Sequence, residues 1–202
     1  MIYIVNGFPG SGKTTFEHYA MHLVNFPVCA CSISTIDIVK TIAYDLGWDG
    51  TKTPANRKFL AELKDLLTNW QDIPFKNIVQ RVNEFVSRWT ENLFIMDNTI
   101  LDYKYTSKNF AIFIDCREPA EIERLKSYFK AKTILIQRPQ SSTDYNNEAD
   151  KNVMQYNYDI VINNDHTKKT LFLLVYNFLD KEGIPHKDLN EAWEALNEEE
   201  SN

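Results

Sequence analysis

Arginine is scarce in this chain. The 202 residues hold six, at Arg57, Arg81, Arg88, Arg117, Arg124 and Arg138. Arginine matches phosphate oxygens in a forked geometry, so a phosphate-handling site here has few such residues to draw on. Surplus positive charge is missing as well. The net charge is −6, which leaves no bulk field to gather nucleic acid or anionic lipid. A nucleic-acid partner would need a local basic groove and is not favoured. No apolar run approaches the roughly 20 residues of a membrane span. The opening MIYIVNG has no basic n-region and reads as a strand rather than a signal peptide. No membrane partner is expected. The three cysteines, Cys29, Cys31 and Cys116, give no disulfide framework. Cys29 and Cys31 share one face of a strand in an apolar stretch and read as small core residues. Nothing asks for an oxidising compartment, so a cytoplasmic protein is expected.

What the chain does contain is an alternation of strand-like and helix-like segments. IYIVN at 2–6 is a short β-branched run ended by Gly7. Further strands are predicted at 28–32, 110–115 (FAIFID), 133–137 (TILIQ) and 158–163 (YDIVIN), with NLFIMD at 92–97 as an added strand before the third. Helices are predicted over 13–25, from the SISTID caps to 45, over 54–70, 75–89, 119–129 and 168–179. In the helix from Pro54, Phe59, Leu60, Leu63, Leu66 and Leu67 form one apolar face. Such alternation implies an α/β fold in three layers, a mostly parallel five-stranded sheet with helices on both faces.

The most specific local signal is GFPGSGKTT at residues 7–15. Gly7-Phe8-Pro9-Gly10-Ser11-Gly12-Lys13-Thr14 fits G-x-x-x-x-G-K-[ST] in full, with a strand before it and a helix after. The glycines let backbone N–H groups turn toward phosphates. The helix N-terminus adds unpaired donors and a favourable dipole. Lys13 supplies a point charge for the β- and γ-phosphates, Thr14 a hydroxyl for Mg²⁺, and Thr15 closes the motif. The reading is a P-loop nucleoside-triphosphate site for ATP with Mg²⁺. The motif does not fix the reaction. N-K-x-D, which reads guanine in switch GTPases, is absent from the chain. The size of the chain and the polar loop after Arg138 favour a small-molecule kinase, with the kinase domain over 1–185, a helical acceptor-binding region over 35–90, a short lid-like loop over 138–157, and an acidic tail over 186–202 whose charged face is solvated.

A kinase also needs groups for the acceptor. Strand C-termini in open parallel sheets face the ligand crevice. Asp115 and Arg117 lie at such an end in FIDCREP, and Arg138 ends the strand TILIQ. Asp115 is a candidate for Mg²⁺ or for the acceptor proton, with Asp97 in FIMDN as its competitor. Arg117 and Arg138 are candidates for clamping phosphates, and Arg57, near a helix start, for binding the acceptor phosphate. Arg81, Arg88 and Arg124 read as surface pairs. Trp48 in LGWDG packs a loop or lines an acceptor pocket. His18 and His22 stand i, i+4 on the first helix, but no third metal ligand accompanies them.

Taken in order, the loop, SISTIDIVK, the Arg57 helix, Asp115-x-Arg117, the strand ending at Arg138, and DIVINND at 159–165 resemble the phage deoxynucleoside monophosphate kinases and the animal-type phosphomevalonate kinases. The resemblance covers about residues 1–180. It implies a nucleoside-monophosphate-kinase-like fold and transfer of the ATP γ-phosphate with Mg²⁺. By position, Lys13 and Thr14 would serve ATP and metal, Asp115 metal or acceptor, and Arg57, Arg117 and Arg138 phosphates, with a strand from Asp159 to Asn164 closing the core. Two features depart from the pattern: the added segment 92–109 and a lid, 139–157, that holds no arginine. The expected reaction is phosphoryl transfer to a small phosphorylated acceptor, a (deoxy)nucleoside monophosphate first. Phosphomevalonate, a hydroxymethylated base in DNA, or a nucleotide-binding regulatory role with little turnover are the alternatives. The oligomeric state is open, a homodimer among the options.

Overall fold

The structure is a computed structural model that describes residues 1–96, 110–138, 153–165 and 167–201. Five strands form one sheet: β1 (Ile2–Asn6), β2 (Cys29–Ser34), β3 (Phe110–Asp115), β4 (Lys132–Gln137) and β5 (Ile160–Asn163). Their order is β2-β3-β1-β4-β5. β1 runs parallel to β3 and to β4, and β4 parallel to β5. The helices are α1 (Lys13–Leu23), α2 (Asp37–Asp45), α3 (Pro54–Gln71), α4 (Ile73–Met96), α5 (Pro119–Phe129), α6 (Lys168–Glu182) and α7 (Leu189–Ser201). The predicted α/β architecture is thus the observed one.

The chain divides into two compact units, Met1–Ser32 with Thr90–Asn202, and Ile33–Trp89. In the first, alternate strand residues face opposite sides. Tyr3, Val5, Ala111, Phe113, Ile134 and Ile136 join α1, α6 and α7 in one core. Its centre is aromatic: Phe113 lies 5.6 Å from the Tyr3 ring and 6.0 Å from Phe16, and Phe178 of α6 sits edge-on to Tyr3 at 5.2 Å. The intervening residues Ile4, Ile112, Ile114 and Leu135 are buried on the other side, where α5 packs on β1 and β4 through its buried Ile122 and Leu125. Period-2 burial on both faces is what a parallel sheet between helix layers requires.

The second unit is helical. Val39 and Ala43 of α2 pack against Leu63 and Leu67 of α3, with Phe59, Leu60 and Trp48 around them. Thr53 caps α3 by accepting the Asn56 N–H at 3.2 Å, and Pro54 occupies its first turn. Leu66, expected in the apolar stripe, is 64% exposed; the stripe is wider than the face α2 covers.

One expectation is corrected. Residues 92–96 do not form a strand: α4 continues through them to Met96. A short apolar run carries no decisive period, and extending an existing helix adds one bond per residue without a new nucleus. Asp97, the proposed rival of Asp115, lies outside the described residues, as does 139–152 of the lid-like loop. The acidic end carries its charged residues on a solvated face, with its other side buried. Residues 189–201 are helix α7, whose Glu191, Glu194 and Glu198 are exposed while Ala192 and Leu196 are buried in the core and Trp193 meets the Phe172 ring edge-on at 5.0 Å.

Candidate functional site

β1 delivers the chain into the loop and α1 begins at Lys13. Two glycines are there because nothing larger fits. Gly7 has φ 154°, and a Cβ on it would stand 2.1 Å from the Ile136 carbonyl oxygen of β4. Gly12, the N-cap of α1, has φ 98°, and a Cβ would stand 2.4 Å from Asn164 Nδ2. Both are left-handed conformations that side chains resist. Closing of the loop is helped by the Ser11 N–H, which donates to the Phe8 carbonyl at 3.1 Å. Phe8 is half-buried, whereas Pro9 and Gly10 are exposed at the tip.

Lys13 is 7% exposed and donates its ammonium to the carbonyls of Gly7 at 2.6 Å and Phe8 at 3.1 Å. The cation is therefore held inside the loop it is to serve. Thr14 is exposed and Thr15 half-buried on the first turn of α1. Ser11 is fully buried, and its hydroxyl has no hydrogen-bond partner among the described residues. Positive-φ glycines, a helix N-terminus, a lysine ammonium and a spare buried hydroxyl are a donor set suited to a polyphosphate.

The neighbouring strand ends bring in two more candidates. Asp115 is the last residue of β3, in register with Val5 on β1. Arg138 follows β4, two residues after Ile136, whose carbonyl abuts Gly7. The structure thus sets Asp115 and Arg138 at strand ends on either side of the loop, both half-buried. Arg117, also half-buried, follows Asp115, and its carbonyl accepts from Asn6 Nδ2 at 3.3 Å. Arg57 is exposed on the first turn of α3, in the helical unit. Among the described residues no group of three or more His, Cys, Asp or Glu side chains converges as a metal centre. His22 instead meets the Ala192 carbonyl at 3.0 Å. A metal at the loop would have Thr14 and Asp115 as its protein groups, alongside phosphate oxygens, which suits Mg²⁺.

Three residues important to the loop were missed by pattern reading. Asn6 is fully buried, with Oδ1 accepting the Gly7 N–H at 2.7 Å and Nδ2 donating to the Tyr158 hydroxyl at 2.7 Å. Asn164, expected only to end a core strand, donates Nδ2 to the Ser11 carbonyl at 2.8 Å, and its N–H donates to Gln137. A polar residue at the end of an apolar strand, directly before or opposite the glycines, is the signal that could have found Asn6 and Asn164. Tyr158 carried none.

The helical unit holds a groove of about 430 Å³ lined by Asp37, Ile38, Lys40, Thr41, Tyr44, Asn77 and Arg81. The four polar residues of α2 recur at helical spacing on one face. Asn77 and Arg81 do the same on α4. Arg81 was expected to make a plain surface pair. It donates to Asp37 Oδ2 at 2.6 Å, and the same oxygen accepts the Ser34 N–H at 3.0 Å. The carboxylate takes one corner of the guanidinium. Tyr44 is 55% exposed and lies 4.7 Å from the Trp48 ring, with Trp48 Nε1 tied to the Thr51 carbonyl at 3.0 Å.

No helix among the described residues is long and apolar enough to cross a membrane. No protein-family profile matches the chain, and no curated protein does. Among solved structures, the chain is similar to the shikimate kinase of Aquifex aeolicus at 12% identity, with 91% of this chain and 98% of that one covered and a TM-score of 0.44.

Proposed function

We propose that this protein is an ATP-dependent phosphotransferase acting on a small phosphorylated acceptor, a (deoxy)nucleoside monophosphate. One observation carries the reading. A complete phosphate-binding loop stands between β1 and α1, with its glycines in conformations only glycine holds easily and its lysine drawn onto the loop's own carbonyls. In the reaction the bond between the γ-phosphorus and the bridging oxygen breaks. A new bond forms from an oxygen of the acceptor phosphate, and ADP leaves with the electron pair. The protein's part is positioning and charge neutralisation. Lys13 turns from the Gly7 and Phe8 carbonyls to the β- and γ-phosphates. The N–H groups of the loop and of α1 bind the non-bridging oxygens. Arg117 and Arg138 offset charge on the transferring group. Mg²⁺, held by Thr14 and Asp115, would supply neutralisation across the phosphates when bound.

The acceptor half of the proposal draws on the groove of the helical unit. Its volume suits a small-molecule site. Lys40 and Arg81 provide two cations against one carboxylate, Thr41 and Asn77 provide hydrogen-bonding groups, and Tyr44 offers an exposed ring for a planar base. A ring shelf favours a nucleotide over phosphomevalonate. Arg57 remains a candidate for the same phosphate.

The test is transfer from γ-labelled ATP to a panel of (deoxy)nucleoside monophosphates, phosphomevalonate and DNA with hydroxymethylated bases. Labelled diphosphate from one or more monophosphates is expected. Transfer to phosphomevalonate or DNA alone would overturn the acceptor, and ATP binding with no product across the panel would favour the regulatory alternative.

A further inference from the structure

Asn6 is a carboxamide sealed under a phosphate-binding loop, and its surroundings leave it one orientation. The Arg117 carbonyl 3.3 Å away can only accept, so Nδ2 must face it. That aims Oδ1 at the Gly7 N–H, 2.7 Å away. The second Nδ2 proton goes to the Tyr158 hydroxyl at 2.7 Å, which in turn donates to the Val153 carbonyl at 2.9 Å. Every link has its donor and acceptor in the right sense. One side chain thus connects the backbone after β3, the entry of the loop, and the segment before β5.

We infer that Asn6 and Tyr158 are a positioning pair for the triphosphate site: Tyr158 holds the Asn6 amide, and Asn6 holds the N–H of Gly7, the residue whose carbonyl receives Lys13. The Gly7 N–H is occupied by Asn6, and the Gly7 carbonyl accepts from Lys13 at 2.6 Å. The two groups belong to the peptide units on either side of the Gly7 α-carbon, so a shift of the held N–H would carry that α-carbon, the lysine's resting point and the start of the loop with it. Gly7 has no slack of its own, since its α-carbon already sits against the Ile136 carbonyl. Burial raises the Tyr158 phenol to about 12, while the bond from Asn6 works the other way, so the hydroxyl keeps its proton at neutral pH and the chain of bonds stays intact. Asn6 and Tyr158 make no claim on the reacting atoms; they act through Gly7.

This inference rests on the triphosphate reading, and the experiment separates the two. Titration calorimetry with Mg²⁺-ATP is run on the wild type, Tyr158→Phe and Asn6→Asp, with thermal melting of each. Wild-type binding establishes the site; its absence would sink the triphosphate reading itself. Tyr158→Phe removes one oxygen and leaves the ring packing, so it should melt within a few degrees of the wild type while binding ATP about five-fold more weakly, the worth of one hydrogen bond. Asn6→Asp sets a carboxylate oxygen against the Arg117 carbonyl and should weaken binding by more than about ten-fold. Wild-type ATP affinity in Tyr158→Phe overturns the inference, whether or not Asn6→Asp folds. A lowered melting temperature with unchanged affinity overturns it too, since a merely structural role would do that.

Discussion

At the phosphate-binding loop, the groups aimed at a ligand are backbone N–H donors set by glycine conformations; in the groove between α2 and α4 they are side chains on helix faces. Under the proposed function the two regions would meet the same need, holding an anion, by opposite means. The loop has its dihedrals locked by Gly7 against β4 and Gly12 against Asn164. The groove instead presents Arg81 through one half-exposed ion-pair contact with Asp37. A site made of backbone is preorganised and costs little to align at the moment of binding. A site made of long side chains is tuned by substitution and ordered partly by its ligand. The comparison predicts that the loop is intolerant of change and that the groove degrades gradually.

The largest effect should come from Lys13→Ala. It removes the only ammonium placed inside the loop by the motif, and transfer should fall by about 10³-fold or more, with the fold retained. Undiminished ATP-dependent phosphorylation would break the loop's half of the comparison. Gly12→Ala comes next. It forces a methyl into Asn164 Nδ2 at φ 98°, so it should lower stability by roughly 1–3 kcal/mol and weaken ATP binding more than ten-fold, measured by melting and calorimetry together. A normal melting temperature and normal binding would mean that the loop has room the geometry denies it.

Arg81→Ala should be smaller and selective. A charged hydrogen bond to an acceptor phosphate is worth about 1.5–3 kcal/mol, so the KM for the acceptor should rise by about ten-fold or more while the KM for ATP holds. Arg81→Lys should recover part of the loss, because a point charge remains but the fork is gone. An unchanged acceptor KM in Arg81→Ala would move the acceptor site out of the groove.

The same contrast explains what could be read from the residues in order. G-x-x-x-x-G-K-T was legible because backbone conformation demands particular residue types at fixed spacing. The central strands β1, β3 and β4 were legible because burial on both faces leaves short, nearly continuous apolar runs. That Arg81 makes a surface pair was legible; which partner it takes was not, since Asp37 is 44 positions away. Asn6 looked like the end of a strand, and only the fold brings Tyr158 to it. Residues 92–96 failed for another reason. An apolar run of that length satisfies helix and strand periods alike, and the helix already under way took it.

The smallest effect sharpens the comparison from the core. Asp159 stands at the foot of β5, the strand whose other end presents Asn164 to the loop. Its burial opposes ionisation, yet its carboxyl is held below the usual value by Lys126, 2.9 Å from Oδ1, and by the Thr133 N–H and hydroxyl at 2.8 and 2.9 Å from Oδ2. A depressed folded value means that the unfolded chain takes up the proton first as pH falls. The stabilisation is therefore full above about pH 4, the ordinary carboxyl range, and is lost as pH drops through the folded value. The side chain is partly exposed, so screening keeps the contribution near 1 kcal/mol or below. Asp159→Asn should melt about 2–4 °C lower than the wild type at pH 7, with the gap closing toward pH 3 and ATP affinity unchanged throughout. Were the gap to persist in acid, packing rather than charge would be at work. Were ATP affinity to fall with it, β5 would belong to the loop's preorganisation along its whole length, and the line between core and site would have to be drawn at Thr133 rather than at Asn164.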